Sequence, residues 1–458
     1  MKIIVCGAGQ VGFNIAKQLA YQHHDVTVID NSPSLVRKVG ESLDVQALEG
    51  YASDPDILEK ASASNADMIV AVTQSDEVNM IACQVAHSLF NVPTKIARVR
   101  NRSYLRPTWS DLFSRDHLPI DMIISPEIEV AHSIAHRLAV PGAFELLPFI
   151  DGKVKVVGIR LSDACPVVDT PLRQLSELFP DLNITIMAIF RGTKIILPDA
   201  DDQMQAGDSI YFSVEESQVL RAMSVFGHDE REARRLIIIG GGNVGLFLAR
   251  ALEEQDPPLN VKIIEQNPER AEYIASQLDK TVVICGDGLD SEILKEANAS
   301  ATETVISVTN EDEVNILSSL LAKRLGALRA VTLVNNRIFT ALMSSLGIDV
   351  YVNPRETTVS NIIQRIRRGR IRGLHSIRDG AAEIMDAEVL ETSPLIGMPI
   401  KDMKLPKGAM ISAIFRDDDV IMPRGQSEFK EGDRIIMLVL ADDVKKIEQL
   451  FSVRLEYF

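Results

Sequence analysis

Dense apolar runs alternate with stretches whose apolar residues recur every three or four positions. Ile3-Ile4-Val5-Cys6 is one such run, and Ile15 and Leu19 behind it share one helical face. Asp25 to Asp30, Val45 to Leu48, Asp67 to Thr73 and Lys95 to Val99 read as further strands, and a long apolar helix runs from Gln74 through Ala82 and Val85. Apolar, β-branched runs of this length suit strands buried on both faces, and their alternation with helices implies a doubly wound parallel sheet. Pro126 to Leu138 reads as an amphipathic helix leaving that sheet, stopped by Pro141-Gly142. The pattern then changes. Val154 to Leu161, Ile184 to Phe190, Lys194 to Leu197 and Ser209 to Val214 predict the strands of a small α+β module. Two helices interleave with them, one over Thr170 to Phe179 with Thr170 as N-cap and Pro171 in the first turn, the other from Glu215.

After a charged linker, His228 to Arg235, the whole arrangement returns. The block Val72-Thr73-Gln74-Ser75-Asp76-Glu77-Val78-Asn79 matches Val308-Thr309-Asn310-Glu311-Asp312-Glu313-Val314-Asn315, with Val308 lying 236 residues after Val72. Ala188-Ile189-Phe190-Arg191 matches Ala413-Ile414-Phe415-Arg416, and Pro198, Gly207 and Asp208 match Pro423, Gly432 and Asp433. A repeat of this order is a tandem duplication of a two-domain unit. The expected fold is α/β, with Rossmann-like doubly wound sheets over residues 1–123 and 232–352 and small α+β modules over residues 141–227 and 373–458.

Each parallel-sheet unit opens on a glycine turn. Gly7-Ala8-Gly9-Gln10-Val11-Gly12 and Gly240-Gly241-Gly242-Asn243-Val244-Gly245 stand between a strand and a helix. There the first glycine permits the tight turn, the second permits close approach of a pyrophosphate, and the third lets helix pack on strand. One such motif is weak evidence; two in identical settings are much stronger. Asp30, eighteen residues beyond Gly12, ends the second strand where an acid would grip ribose hydroxyls, and Glu265 is its counterpart. Ligands of open α/β sheets sit beyond the carboxyl ends of the strands, so Thr73, Gln74 and Arg98 fall at the same place, with Arg98 available to neutralise phosphate. Asp76 and Glu77 read as first-turn acids answering the helix dipole. The second unit has Ala330-Val331-Thr332-Leu333 where the first has Arg98 and Arg100, and Thr332 reads as the match of Arg98. Its phosphate is then less neutralised, and the two pockets should differ in affinity or in ligand.

Charge and composition narrow the function. Lys and Arg number 48 against 64 Asp and Glu, a net charge of −16, which argues against nucleic acid as a bulk partner. Cys6, Cys83, Cys165 and Cys285 are scattered without metal-site spacing and read as small buried apolar residues, and no metal site is expected. No apolar run approaches the roughly 18 residues of a membrane span, so a soluble, cytoplasmic protein is expected. The eight histidines form no paired set and none lies between Pro141 and Phe226. Without a proton-transferring group in the partner module no catalytic residue is expected, and a soluble NAD-dependent oxidoreductase is the alternative. Arg365, Arg367, Arg368, Arg370 and Arg372 form a basic cluster that reads either as a solvated helix end or as a contact for an acidic subunit surface or anionic lipid.

The glycine turn Gly7 to Gly12, the Val-Thr-x-x-Asp-Glu-x-Asn strand ends, the Ala-Ile-Phe-Arg blocks and the doubled layout resemble the tandem RCK family. These are the peripheral nucleotide-binding subunits of bacterial Trk potassium uptake systems. The resemblance spans essentially the whole chain. It implies a non-enzymatic regulatory subunit forming a homotetrameric ring at the inner face of the cell membrane. There it would gate a potassium-translocating Trk membrane subunit in response to NAD(H) and to ATP or ADP. Carried over by position, the first site uses Gly7, Ala8, Gly9, Gln10, Val11, Asp30, Thr73, Gln74 and Arg98. The second uses Gly240, Gly241, Gly242, Asn243, Val244, Glu265, Thr309 and Asn310.

Overall fold

The computed structural model describes residues 1–21, 24–105, 107–192, 194–230, 232–340, 342–343, 345–354, 371–391, 393 and 395–451. Arg365, Arg367, Arg368 and Arg370 lie outside these, as does the side chain of Arg372.

Strand β1 (Lys2–Cys6) pairs in parallel with β2 (Asp25–Asp30) on one side and β4 (Met68–Ala71) on the other. With β3 (Gln46–Glu49), β5 (Thr94–Arg98) and β6 (Met122–Ile124) they form a six-stranded sheet in the order β3-β2-β1-β4-β5-β6. The order reverses between β1 and β4, and chain segments leaving that point part to opposite faces, opening a crevice beyond the strand ends. The second half repeats this with β12 (Arg235–Ile239), β13 (Asn260–Glu265), β14 (Val282–Cys285), β15 (Thr304–Ser307), β16 (Arg329–Leu333) and β17 (Val350–Val352), in the order β14-β13-β12-β15-β16-β17. Both central strands are buried after their first residue, as their continuous apolar runs require.

The small modules are antiparallel five-stranded sheets. The first orders β7 (Ala143–Phe149), β8 (Val154–Arg160), β9 (Ile184–Arg191), β10 (Lys194–Ile196) and β11 (Ser209–Glu215) as β10-β9-β11-β8-β7. The second orders β18 (Ile371–Ile377), β19 (Ala382–Glu388), β20 (Ala409–Arg416), β21 (Asp419–Ile421) and β22 (Arg434–Leu440) as β18-β19-β22-β20-β21. The two sheets share a core: Val154, Val156, Met187, Ala188 and Tyr211 pack with Ala382, Ile384, Ala413, Ile436 and Leu438. At its centre the Ser213 hydroxyl donates to the Ser412 carbonyl at 3.1 Å. The duplicated modules therefore cover one another's apolar faces.

The structure adds strands that the apolar pattern does not predict and corrects other expectations. Strands β6 and β17, three residues each, are too short to show a periodicity. Strand β7 carries Pro148, and it tolerates the missing N–H because it is an edge strand. The helix expected over Thr170 to Phe179 spans Leu172–Leu178; Pro171 takes the N-cap position, and Thr170 Oγ1 turns back to the Val168 carbonyl at 3.3 Å. Cys6, Cys83 and Cys165 are buried as expected, but Cys285, at the end of β14, is exposed.

The helix Pro126–Leu138 leaves the first sheet and docks on the second half. Val130, Ala131, Ile134 and Ala135 enter a core with Leu246, Ala249 and Leu252. These three belong to the helix Asn243–Glu253, which buries Leu246, Phe247, Leu248, Ala249 and Leu252 in succession. The corresponding helix Gln10–Tyr21 buries only Gly12, Ile15, Ala16 and Leu19.

Candidate functional site: paired glycine-turn pockets

The first glycine turn is held by the acid across from it. Gly7 adopts φ +108°, its N–H donates to the Ile29 carbonyl at 2.7 Å, and the next N–H, of Ala8, donates to Asp30 Oδ2 at 2.6 Å. The other Asp30 oxygen accepts from Ser32 N at 2.8 Å. A Cβ at Gly12 would fall 1.7 Å from the Gly7 carbonyl oxygen, so helix and turn close only on glycine. Around Gly9, by contrast, a Cβ would meet nothing within 4 Å. The turn is thus packed on its inner side and open where a pyrophosphate would approach. Gln10 opens the helix there, placing the helix N-terminus and the positive end of its dipole at the opening. A carboxylate to accept from ribose, an open turn and the donors of a helix N-terminus are the groups that an adenine nucleotide needs, and these residues fit it.

The second turn repeats the geometry. Gly240 has φ +107° and donates to the Ile264 carbonyl at 2.9 Å; Gly241 N donates to Glu265 Oε2 at 2.7 Å, and Asn267 N to Glu265 Oε1 at 2.8 Å. A Cβ at Gly245 would lie 2.0 Å from the Gly240 carbonyl oxygen, while Gly242 faces open space. Val11 and Val244 are half-buried beside their turns; Gln10 and Asn243 are exposed.

Across each crevice a buried asparagine organises the strand ends. Asn79 Oδ1 accepts from Thr73 N at 2.8 Å and Thr73 Oγ1 at 2.7 Å, while Nδ2 donates to the Arg98 carbonyl at 2.9 Å. Asn315 does the same for Thr309 N and Oγ1, both at 2.7 Å, and for the Leu333 carbonyl at 3.0 Å. Asp76 is more than a helix-dipole acid: it is buried, and its Oδ2 accepts from Arg100 N at 2.9 Å and Asn101 N at 2.8 Å. Asp312 holds Asn335 N and Asn336 N in the same way, each at 2.8 Å. Glu77 is exposed and accepts from the Ser75 hydroxyl at 2.7 Å, which with its own backbone N–H holds its carboxyl below the usual range. Gln74 and Asn310 are exposed at the rim, and the Gln74 carbonyl accepts from Arg100 Nη2.

The asparagine bonds also correct the pairing of the halves. Leu333, not Thr332, occupies the position of Arg98. Thr332 faces the interior, in a buried hydroxyl cluster with Ser307, Ser318 and Ser319; its Oγ1 lies 2.8 Å from Ser319 Oγ.

Arg98 lies at the strand end as expected, but an acid already holds it: Nη2 is 3.2 Å from Glu127 Oε1, and both side chains are largely buried. The second pocket has a cation that the sequence reading missed. Arg270 Nε donates to the Gly241 carbonyl at 2.7 Å, Nη2 to Asn243 Oδ1 at 3.3 Å, and the guanidinium lies 5.1 Å from the Tyr273 ring centroid. The first-half counterpart of Arg270, five residues after the acid, is Leu35. The two pockets therefore carry their cations on different sides, the first on β5 and the second on the helix after β13.

Away from both turns, a cleft of about 2480 Å³ lies between the helix Pro126–Leu138, the two small modules and the second parallel-sheet unit. His132, His136, His228 and His375, distant in sequence, converge on it, where Tyr211 donates to Glu145 at 2.6 Å. Among the described residues no group of three His, Cys, Asp or Glu side chains could hold a metal ion, and no helix is long and apolar enough to cross a membrane.

The chain resembles known proteins over its whole length. The TrkA-N domain family matches residues 3–126 and 236–354, and the TrkA-C domain family matches residues 156–227 and 384–452. The Trk system potassium uptake protein TrkA of Azorhizobium caulinodans is 51% identical over 458 residues, covering 100% of both chains. That of Halomonas elongata is 38% identical, again over 100% of both. The fold is shared with the GsuK channel bound to NAD (TM-score 0.60, 17% identity, 99% of this chain and 79% of that one). It is shared too with GsuK bound to ADP (TM-score 0.50, 14% identity, 80% and 69%). Doubled sheets, doubled glycine turns and full-length identity agree that this chain belongs to the TrkA family of Trk system potassium uptake proteins.

Proposed function

We propose that the protein is the cytoplasmic, nucleotide-binding regulatory subunit of a Trk-type potassium uptake system. NAD(H), and ATP or ADP, bind at the two glycine turns. Their binding biases a ring of four chains that docks beneath a potassium-translocating membrane subunit. The observation that carries this reading is the doubled clamp, in which Asp30 holds the Ala8 N–H and Glu265 the Gly241 N–H beside open glycines. The names of the relatives and the NAD and ADP of the GsuK structures support it. The site residues are those expected from sequence, Gly7 to Val11, Asp30, Thr73, Gln74 and Arg98, then Gly240 to Val244, Glu265, Thr309 and Asn310, with Arg270 added. On this reading the chain divides into four units, 1–123, 141–227, 232–352 and 373–458.

The role requires binding without turnover. The ligand needs only differential affinity for two arrangements of the ring, since a ligand that binds both equally shifts nothing. The test is to identify the nucleotide that co-purifies and to incubate the protein with NADH and a panel of carbonyl compounds. An adenine nucleotide without NADH consumption is the expected result. Steady NADH consumption that Asp30→Ala abolishes would replace this reading with an oxidoreductase.

A further inference from the structure

In the first pocket the cation at the strand end is held by an acid on the helix that docks on the other half of the molecule. The pair is incomplete: Arg98 uses Nη2 and Glu127 uses Oε1, at 3.2 Å, while Arg98 Nε and Glu127 Oε2 are buried without a hydrogen-bond partner. A guanidinium and a carboxylate that meet squarely make two parallel bonds, so this contact leaves strong donors and acceptors unused. A buried donor left unmatched carries a desolvation cost that an arriving anion would relieve. The backbone at Arg98 is fixed by the bond from Asn79 to its carbonyl, so only the side chain is free to exchange partners.

Glu127 stands in the first turn of the helix Pro126–Leu138. One turn further on, Val130 and Ala131 enter the core that contains Leu246, Ala249 and Leu252 of the helix leaving the second glycine turn. The acid that occupies the first pocket's cation is thus mounted on the support of the second pocket. In the second half the position of Arg98 is Leu333, 4% exposed and part of that same core, so the arrangement has no mirror image there.

We propose that Glu127 is a built-in competitor for nucleotide phosphate at Arg98. Phosphate binding in the first pocket takes Arg98 from Glu127 and frees the first turn of the helix on which the second pocket rests. The proposal rests on the reading that the first pocket binds nucleotides. It assigns Glu127 a positioning role, setting first-pocket affinity and coupling first-pocket occupancy to the helix beneath the second pocket. Linkage then requires the Arg98–Glu127 pair to weaken the binding of phosphate-bearing ligands and to leave a phosphate-free ligand unaffected.

The test is a double-mutant cycle by calorimetry with ADP, adenosine as control, in a Glu265→Ala background that silences the second pocket. Glu127→Gln keeps the size of the side chain and removes its charge. It is expected to tighten ADP binding about fivefold, the order of a partly exposed ion pair, and to leave adenosine unchanged. Arg98→Gln is expected to weaken ADP and to erase the effect of Glu127→Gln. Hydrogen exchange gives a second readout: ADP should speed amide exchange in the first turn of Pro126–Leu138 in the Glu265→Ala protein, and Glu127→Gln should be fast with or without ADP. If ADP binds but Glu127→Gln leaves its affinity unchanged, the proposal is overturned alone. It is equally overturned if Glu127→Gln acts the same with Arg98 absent, since the effect then belongs to the helix. If the unaltered protein binds no ADP, the nucleotide reading falls and this proposal with it.

Discussion

Asn79 donates to the carbonyl of Arg98 at 2.9 Å while its own carbonyl takes both donors of Thr73, so one buried amide joins the ends of β4 and β5 at the rim of the crevice. Asn315 repeats the arrangement with Leu333 and Thr309. Removing the amide strands a buried N–H and a buried C=O. Asn79→Ala and Asn315→Ala are therefore expected to cost about 2 kcal/mol each, lowering the Tm of the affected unit by about 4–8 °C. Differential scanning calorimetry measures this. A melting curve unmoved by either change would mean that the crevice is not held in this way.

Nucleotide choice should differ between the pockets. Asp30 has Leu35 at the position where Glu265 has Arg270, which bonds to the second glycine turn. In the first pocket a 2′-phosphate would lose a hydrogen bond and meet a like charge, a penalty of about 2 kcal/mol or roughly 30-fold in affinity. Arg270 should reduce that penalty in the second. Titrating NADP(H) and NAD(H) into Asp30→Ala and Glu265→Ala proteins separates the two pockets. Equal discrimination in both, or NADP(H) binding as tightly as NAD(H) in the first, would defeat the expectation.

Thiol reactivity should follow burial. Burial pushes the Cys6 thiol up to about 12 and holds Cys83 and Cys165 above the usual thiol range as well, which leaves little thiolate at neutral pH. Cys285 is exposed. A chromogenic disulfide at pH 8 is therefore expected to react rapidly with one cysteine in the native protein and with all four after denaturation. Cys285→Ser should remove the fast phase. A fast phase that survives that change would place an open thiol in a core now described as closed.

The sequence made the parallel-sheet halves legible because a strand buried on both faces must be a continuous apolar run, and Ile3 to Cys6 and Leu236 to Ile239 are such runs. The glycine turns were legible for a similar reason, since Gly12 and Gly245 stand where any Cβ would strike a carbonyl. Partnership between distant residues was not. An amphipathic stripe such as Val130, Ala131, Ile134 and Ala135 shows that a helix has a partner but not which one, and here it is the other half of the chain. Arg270 was hidden for a different reason: the position of Arg98 holds Leu333 in the second half, and the second cation stands where the first half has Leu35, a difference that the aligned halves carry. The Asp76 bonds to the loop after β5 were hidden because an acid in a first helical turn already has a sufficient local explanation.

The remaining expectation concerns transport. A nucleotide between glycine turn and strand ends controls a membrane partner only through a difference in affinity between ring arrangements. Coupling of the usual size, about 1–3 kcal/mol, changes open-state odds by about 5- to 150-fold. On the proposed reading that coupling passes through Arg98, whose guanidinium meets Glu127 of the helix Pro126–Leu138. Among the described residues the Arg270 guanidinium bonds to the second glycine turn, at Gly241 and Asn243. Arg98→Ala is therefore expected to blunt nucleotide control of potassium flux while assembly stays intact. Arg270→Ala should weaken second-pocket binding with a smaller loss of control. Thr332→Val, which removes one hydroxyl from the buried cluster beside Leu333, should lower stability by about 1 kcal/mol and leave control unchanged. Potassium flux in proteoliposomes containing the membrane subunit, with light scattering for assembly, measures all three. If Arg98→Ala responds to nucleotide like the unaltered protein, the first pocket is not the sensor. If Arg270→Ala is the more damaging change, control lies in the second half.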